Sequence, residues 1–266
     1  MAEPAALRAS LLRWLSAACD ALTSVFLPGS CRLCDTPLLH SSRVPICPDC
    51  LASFRRIPES ICSRCGLPLE AMDRVDGEKA VCAACRMERF AFDAARSFGV
   101  YEKTLVRAVL LLKFERIEPL GDWFAAELAR LVEQHTQELT ADVVVPVPLH
   151  RVRLKERGYN QAEMVSRPLA RGLGLPHRNL LTRVKPRPNK HILTLRERWE
   201  SVRGAFATRP SSQVDNLRVL LVDDVMTTGA TLDSCAKVLR DAGAKAVIGL
   251  TVARARRDPL WTVRPR

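Results

Sequence analysis

The sequence predicts an α/β protein with a parallel sheet, preceded by a cysteine-rich module. Between residues 92 and 253, apolar stretches of strand length alternate with helical patterns, and this alternation is typical of parallel sheets. Eight of the 10 cysteines form four C-x-x-C pairs between residues 31 and 85. The 266 residues are sufficient for one medium-sized domain and one small one.

Residues 1–27 are predicted to contain an amphipathic helix, because apolar side chains recur near helical spacing over 5–27. Packing of this helix on the rest of the protein is one interpretation, and a peripheral membrane contact is the alternative. Arg13 and Asp20 interrupt the apolar core that a signal peptide requires. Because no run of 18 apolar residues occurs, we expect a cytoplasmic protein without stable membrane insertion.

The cysteine pairs predict a double zinc ribbon at residues 28–90. Twelve residues separate the first two pairs and 16 separate the last two, a spacing that suits two four-cysteine sites for structural Zn²⁺. Sequential pairs are the simplest grouping, and an interleaved grouping is the alternative. Disulfide bonds are disfavoured because no export signal is evident. The predicted zinc ligands are Cys31, Cys34, Cys47, Cys50, Cys62, Cys65, Cys82 and Cys85.

The α/β domain is predicted at residues 91–255, followed by a basic tail at 256–266. Cys235 lies in an apolar helical pattern, as does Cys19, and both are predicted to be small core residues. The predicted strands are 92–101, 142–148, 218–223 and 245–253. The predicted helices are 103–114, 119–136, 159–173 and 230–242, with an irregular segment at 184–195.

The most informative segment is VLLVDDVMTTGAT at residues 219–231. A buried strand carries two acids to its carboxyl end, where they suit sugar hydroxyls or a cation, and a polar turn then leads into a helix N-terminus that suits a phosphate. Gly229 lets the backbone approach an anion. The alternative is an ordinary capped strand–turn–helix, for which one acid and one hydroxyl would suffice. The pattern therefore favours a site for a phosphorylated ribose.

This segment resembles the 13-residue fingerprint of type I phosphoribosyltransferases, which binds 5-phosphoribosyl-1-pyrophosphate (PRPP). The resemblance implies a type I phosphoribosyltransferase fold for the α/β domain, with PRPP and Mg²⁺ as ligands. It implies that Asp223 and Asp224 are the catalytic residues and bind the ribose hydroxyls. It also implies a PRPP-binding turn made of Val225, Met226, Thr227, Thr228, Gly229, Ala230 and Thr231.

The net charge of +12 is concentrated in residues 151–209, which hold 15 Lys/Arg and four Asp/Glu. One pyrophosphate needs only a few cations, so the excess favours nucleic acid or another polyphosphate, with a merely solvated basic face as the alternative. A basic loop is predicted after the strand 142–148. Because parallel strands end at one edge, we expect this loop near the fingerprint. Its candidate pyrophosphate-binding residues are Arg151, Arg153, Lys155 and Arg157.

The whole chain resembles the ComF family, on the cysteine pairs, the fingerprint, PVPLHRVRLKERGYNQAE at 146–163 and RERWESVRGAF at 196–206. The resemblance implies a role in DNA uptake, natural transformation or the use of external DNA. We expect a PRPP-binding protein that also binds single-stranded DNA. Three alternatives remain open. They are a catalytically inactive DNA-binding adaptor, a nucleobase salvage transferase of nucleoside metabolism, and a hub whose ribbons recruit a DNA-uptake protein or helicase.

Overall fold

The computed structural model describes most of the chain between residues 29 and 256. The described ranges are 29–38, 43–69, 80–87, 90–186, 195–210 and 212–256. The predicted helix at 5–27, Cys19 and residues 257–266 of the predicted tail lie outside them. The chain divides into two compact units, one reaching Phe54 and the other beginning at Arg55. Within the described ranges, no helix has both the length and the apolar character needed to span a membrane.

The second unit contains every described strand and all but the first of the described helices. In chain order the elements are α1 (Pro48–Ala52), α2 (Ala83–Met87), β1 (Ala94–Val100), α3 (Lys103–Phe114), α4 (Glu118–Gln134), β2 (Val143–Pro146), α5 (Arg151–Arg157), α6 (Gln161–Gly172), β3 (Leu181–Arg183), α7 (Leu195–Glu200), β4 (Phe206–Thr208), β5 (Arg218–Met226), α8 (Ala230–Asp241) and β6 (Ala246–Arg254).

The main sheet has four parallel strands in the order β1-β6-β5-β2. Its centre is apolar, and Val219 to Val222 of β5 are fully buried. Helix α8 follows β5 and buries an apolar face at helical spacing that includes Cys235. The fold therefore confirms the predicted α/β class with a parallel sheet, and Cys235 is confirmed as a core residue.

Strand β5 is longer than the predicted 218–223 and continues to Met226. Val225 pairs with Ala253 and Met226 pairs with Arg254, so β6 holds the fingerprint in sheet geometry past its two acids. A second, antiparallel sheet pairs β3 with β4, and neither strand was predicted.

The basic segment after β2 is helix α5, so the prediction of a loop over these residues was wrong. His150 caps its N-terminus, with Nδ1 accepting a hydrogen bond from the Val152 N–H at 3.3 Å. Gly158 ends it in the left-handed conformation at φ 80°. Both caps satisfy backbone groups that a short helix cannot pair internally. Helix α6 then begins after Asn160, whose side chain caps it.

Candidate ligand site and cysteine clusters

The fingerprint runs from the carboxyl end of β5 into the first turn of α8. Gly229 connects them with φ at 86°. A Cβ atom there would lie 2.9 Å from Cε of Met226 and 3.4 Å from the Phe90 ring. The backbone conformation therefore favours glycine at this position, and an added Cβ would also displace the end of the Met226 side chain. The turn stays close to the strand it follows.

The two acids are fixed by the adjacent backbone and by one lysine. The Asp224 N–H donates to Oδ1 of Asp223 at 2.8 Å, and the Val225 N–H donates to Oδ1 of Asp224 at 2.7 Å. Asp224 is buried, and its Oδ2 lies 2.9 Å from Nζ of Lys113 at the end of α3. Asp223 is half-buried. The acids thus form a rigid pair with one cation beside it.

Burial, together with the adjacent charge of Asp224, raises the pKa of Asp223 to about 8. Desolvation lowers the pKa of Lys113, but the Asp224 carboxylate outweighs it and raises the lysine pKa overall. At neutral pH the group therefore has a protonated Lys113 and an incompletely ionised acid pair. Ribose hydroxyls, which both donate and accept, suit such a pair, and a bound cation would favour its ionised form.

The turn after the acids presents hydroxyl and backbone N–H groups. Oγ1 of Thr228 accepts a hydrogen bond from the Ala230 N–H at 3.2 Å, and Arg198 donates to Oγ1 of Thr227 at 3.1 Å. Thr231 is half-buried in the first turn of α8, where helix geometry leaves N–H groups without helical partners. The N-terminus of a 12-residue helix beside these hydroxyls suits an anion.

The remaining predicted turn residues lie closer to the core. Met226 is buried and Val225 is half-buried, and both belong to β5. Ala230 is buried as the first residue of α8. Any ligand contact by Met226 or Ala230 would therefore come mainly from the backbone.

The predicted pyrophosphate residues lie on α5. Arg151, Arg153 and Lys155 are exposed. Arg157 is half-buried, with its guanidinium 5.2 Å from the centroid of the Phe114 ring, and it donates to Oε1 of Gln161 at 2.5 Å. The structure therefore ties Arg157 to α3 and α6, and presents the other three cations to solvent.

Three cations that contact the fingerprint were missed in the sequence. Lys113 pairs with Asp224, Arg198 contacts Thr227, and Arg254 donates to the carbonyl oxygens of the turn. For two of them the sequence contained an indication, because Lys113 lies in the last turn of a largely apolar helix and Arg254 ends a largely apolar strand. A charged residue at such a place indicates a buried partner.

The eight cysteines form two clusters, and the predicted sequential grouping is confirmed. The clusters are Cys31, Cys34, Cys47 and Cys50, and Cys62, Cys65, Cys82 and Cys85. Within each, all sulfur atoms lie within 4.8 Å of one another. The Cys34–Cys47 and Cys65–Cys82 sulfur distances are both 3.6 Å. Tetrahedral zinc with bonds of about 2.3 Å requires sulfur atoms about 3.8 Å apart, so both clusters fit Zn²⁺.

Backbone N–H groups also point at the sulfurs, as thiolate ligands require. The Cys47 N–H donates to Sγ of Cys31 at 3.3 Å, and the Cys82 N–H donates to Sγ of Cys62 at 3.4 Å. The first cluster belongs to the first compact unit and the second cluster to the second. Among the eight, Cys34 is exposed and the others are buried.

Family models agree with this description. The double zinc ribbon domain matches residues 22–86, and the phosphoribosyl transferase domain matches residues 121–260. The fold, the acid pair and the cysteine clusters therefore define a double zinc ribbon joined to a phosphoribosyltransferase domain.

Several relatives match this chain over most of their own length. "Competence protein F" of Haemophilus influenzae is 30% identical over 82% of this chain and 93% of its own. "DNA utilization protein YhgH" of Salmonella typhi is 34% identical over 83% of this chain and 95% of its own. "Competence protein ComFC" of Bacillus subtilis is 27% identical over 79% of this chain and 84% of its own. The chain belongs to the ComF family.

Proposed function

We propose that this chain binds Mg-PRPP at the fingerprint and single-stranded DNA on an adjacent basic surface, in the uptake or use of external DNA. The observation that carries the PRPP proposal is the rigid acid pair beside a hydroxyl-rich helix N-terminus. These two features suit the two polar parts of a phosphorylated ribose. The names of the relatives, which refer to competence and DNA utilization, support the biological role.

In this proposal each part of PRPP meets a different chemical group. Asp223 and Asp224 accept hydrogen bonds from the ribose 2′ and 3′ hydroxyls. The turn from Thr227 to Thr231 receives the 5′-phosphate at the N-terminus of α8. The exposed cations of α5 face the pyrophosphate. Bound Mg²⁺ would neutralise pyrophosphate charge, and carboxylate oxygens are among its preferred protein ligands.

Calorimetric titration of the full chain with PRPP tests this assignment. We expect one site per chain and binding that depends on Mg²⁺. Asp224→Asn should weaken it more than tenfold, because a lost charge-assisted hydrogen bond contributes about 1.5–3 kcal/mol. Asp241→Asn, at the exposed far end of α8, should bind like the wild type. Equal affinities for both variants would refute the assignment.

A surface beside the site combines aromatic rings with guanidinium groups and supports the DNA proposal. Phe114 is 69% exposed and carries Arg157 over its ring. Tyr159 has Arg116 at 5.9 Å from its ring centroid, and its hydroxyl donates to the Leu112 carbonyl. Bases stack on such rings while cations hold the phosphates. We call this the Phe114 surface; it is formed by Phe114, Arg116, Arg157 and Tyr159.

Fluorescence anisotropy with an oligothymidine tests the Phe114 surface. We expect affinity to fall steeply with salt. Phe114→Ala should weaken binding about tenfold, because stacking contributes about 1–3 kcal/mol per base. Leu110→Ala, another exposed apolar residue of α3, should have little effect. Salt-insensitive binding, no binding at low salt, or equal affinity for Phe114→Ala and wild type would each contradict the proposal.

Catalysis is a separate question from binding, since fold does not fix function. A salvage transferase releases pyrophosphate when PRPP, Mg²⁺ and the correct nucleobase are present. An inactive adaptor binds PRPP and releases none with any base. Measuring pyrophosphate release with a panel of bases therefore distinguishes these two alternatives. Pull-down experiments with the wild-type chain and with Cys31→Ser, which changes the cluster outside the phosphoribosyltransferase core, test the hub alternative.

A further inference from the structure

Arg254, the last residue of β6, contacts both the fingerprint and a predicted zinc ligand. Only 3% of its surface is exposed. Nη1 donates to the carbonyl oxygens of Met226, at 3.1 Å, and of Thr227. Nε donates to the carbonyl oxygen of Cys65 at 3.2 Å, and Nη2 lies 3.8 Å from Sγ of Cys65. One buried side chain thus joins the phosphate-binding turn to the second cysteine cluster.

The positive charge of Arg254 makes the stability of this link depend on the charge of the second cluster. A buried guanidinium is costly when only carbonyl oxygens surround it. Four thiolates and one Zn²⁺ carry a net charge of about −2, and Cys65 places part of that charge against Arg254. Zinc loading of the second cluster would therefore stabilise the arginine in the position where it holds the turn.

A second contact path connects the same two places. The Phe90 carbonyl, just beyond the fourth cysteine pair, accepts a hydrogen bond from Arg64 at 2.5 Å. The next N–H, that of Ala91, donates to Oδ1 of Asp233 in α8 at 2.7 Å. The Phe90 ring stacks on Phe92 with centroids 4.7 Å apart, close to the backbone of Gly229. The segment after the second cluster therefore packs against the turn.

We propose that Arg254 is a positioning residue that couples the second zinc cluster to the phosphate-binding turn. Zinc at the second cluster then sets the order of the turn and its affinity for PRPP, and zinc at the first cluster does not. The affinity part of this inference rests on the proposed function. The part that concerns the order of the turn does not.

Hydrogen–deuterium exchange of the zinc-loaded full chain tests the order of the turn. In Arg254→Gln and Cys82→Ser, we expect amide exchange over residues 226–231 to accelerate about tenfold. Arg254→Lys should be intermediate, since it keeps the charge and loses the planar fork. Cys47→Ser, the matched change in the first cluster, should exchange like the wild type.

Exchange over residues 219–222 of β5 reports whether a variant still folds. If Cys82→Ser has unfolded, the exchange rates of the Arg254 variants over residues 226–231 decide whether the coupling exists.

Zinc release provides a second readout, on which Arg254 would have no effect if its role were only structural. In the Cys47→Ser background, PRPP should reduce the amount of zinc that a competing chelator removes from the second cluster at equilibrium, because coupling between binding sites is reciprocal. Adding Arg254→Gln should abolish this protection and weaken PRPP binding about tenfold. Unchanged exchange in both Arg254 variants, or equal effects of the Cys47 and Cys82 variants, would overturn the coupling. If the wild-type chain fails to bind PRPP, the proposed function is refuted, and the exchange result alone decides the coupling.

Discussion

The two cysteine clusters have the same ligands and different surroundings. The first belongs to the unit that ends at Phe54, and its Cys34 is exposed. All four cysteines of the second are buried in a core that also contains Met226 of β5 and Leu232 of α8. The same motif thus forms part of a small compact unit in one case and part of the phosphoribosyltransferase core in the other. The spacing of the ligands alone therefore does not indicate which part of the protein a bound metal stabilises.

Replacing one ligand in each cluster should give the largest difference in the stability of the second unit between two matched variants. Cys65→Ser should destabilise the second unit by about 4 kcal/mol or more, because it removes a zinc ligand and a partner of Arg254 within a packed core. Cys31→Ser should leave the stability of the second unit unchanged. Zinc content, together with hydrogen exchange in β5, measures both effects. Equal loss of β5 protection in the two variants would remove the distinction between the clusters.

A pair of glycines tests the packing without changing a ligand. Gly66 has φ at 63°, and a Cβ atom there would lie 2.6 Å from the Ala95 carbonyl oxygen of β1. Gly66→Ala should cost about 2–4 kcal/mol, from left-handed strain and overpacking. Gly29, near the first cluster, has open space around it, so Gly29→Ala should change stability by less than about 0.5 kcal/mol. Urea denaturation measures both, and similar midpoints would contradict the packing described for Gly66.

Asp233 provides a smaller test of the segment after the second cluster. Its Oδ1 accepts the Ala91 N–H, and the side chain is buried. Asp233→Ala should cost about 1–3 kcal/mol by leaving a polar group without its partner. Asp241→Ala, on the exposed surface at the end of α8, serves as the control. If both variants unfold at the same urea concentration, this hydrogen bond contributes little.

The sequence predicted the parts that depend on local pattern. Helix α3 spans the predicted residues 103–114, because its apolar spacing is regular. The cysteine grouping also followed from spacing, and so did the place of Asp223 near the carboxyl end of a strand, although β5 continues three residues further to Met226. Helix α5 was missed because its basic residues resemble a solvated loop and its ends depend on the caps at His150 and Gly158.

The burial of the second cluster could not be predicted from its motif. The contacts that distinguish it from the first cluster connect residues far apart in the chain. Arg254 and Cys65 are 189 positions apart, and the Ala91–Asp233 bond joins residues 142 positions apart. Such contacts depend on the complete fold. The position of Lys113 in the sequence indicated a buried partner, but the identity of that partner, Asp224 on β5, depends on the complete fold in the same way.

Another predicted effect is a pH dependence that belongs to the second unit. Because the pKa of Asp223 is raised to about 8 in the folded chain, the folded state holds a proton that the unfolded state loses near pH 4. The free energy of unfolding should therefore fall as the pH rises from about 4 to about 8. Asp223→Asn should flatten this fall by about 1 kcal/mol or more between pH 5 and 8. Urea titrations at several pH values measure it.

Asp142→Asn is the contrasting control for that experiment. Hydrogen bonds from Arg218 lower the pKa of Asp142, so its stabilising contribution is present at neutral pH and is lost as the pH falls through the lowered pKa. Replacing Asp142 should therefore not change the fall in the free energy of unfolding between pH 5 and 8. An unchanged slope in Asp223→Asn would show that another group causes the pH dependence.

A crystal structure of the full chain with zinc, Mg²⁺ and PRPP is the most direct test of the account. We predict the 5′-phosphate in the turn from Thr227 to Thr231, the ribose hydroxyls on Asp223 and Asp224, and Arg254 still bound to the turn and to Cys65. PRPP bound elsewhere, or bound at the fingerprint with Arg254 released from the turn, would contradict it.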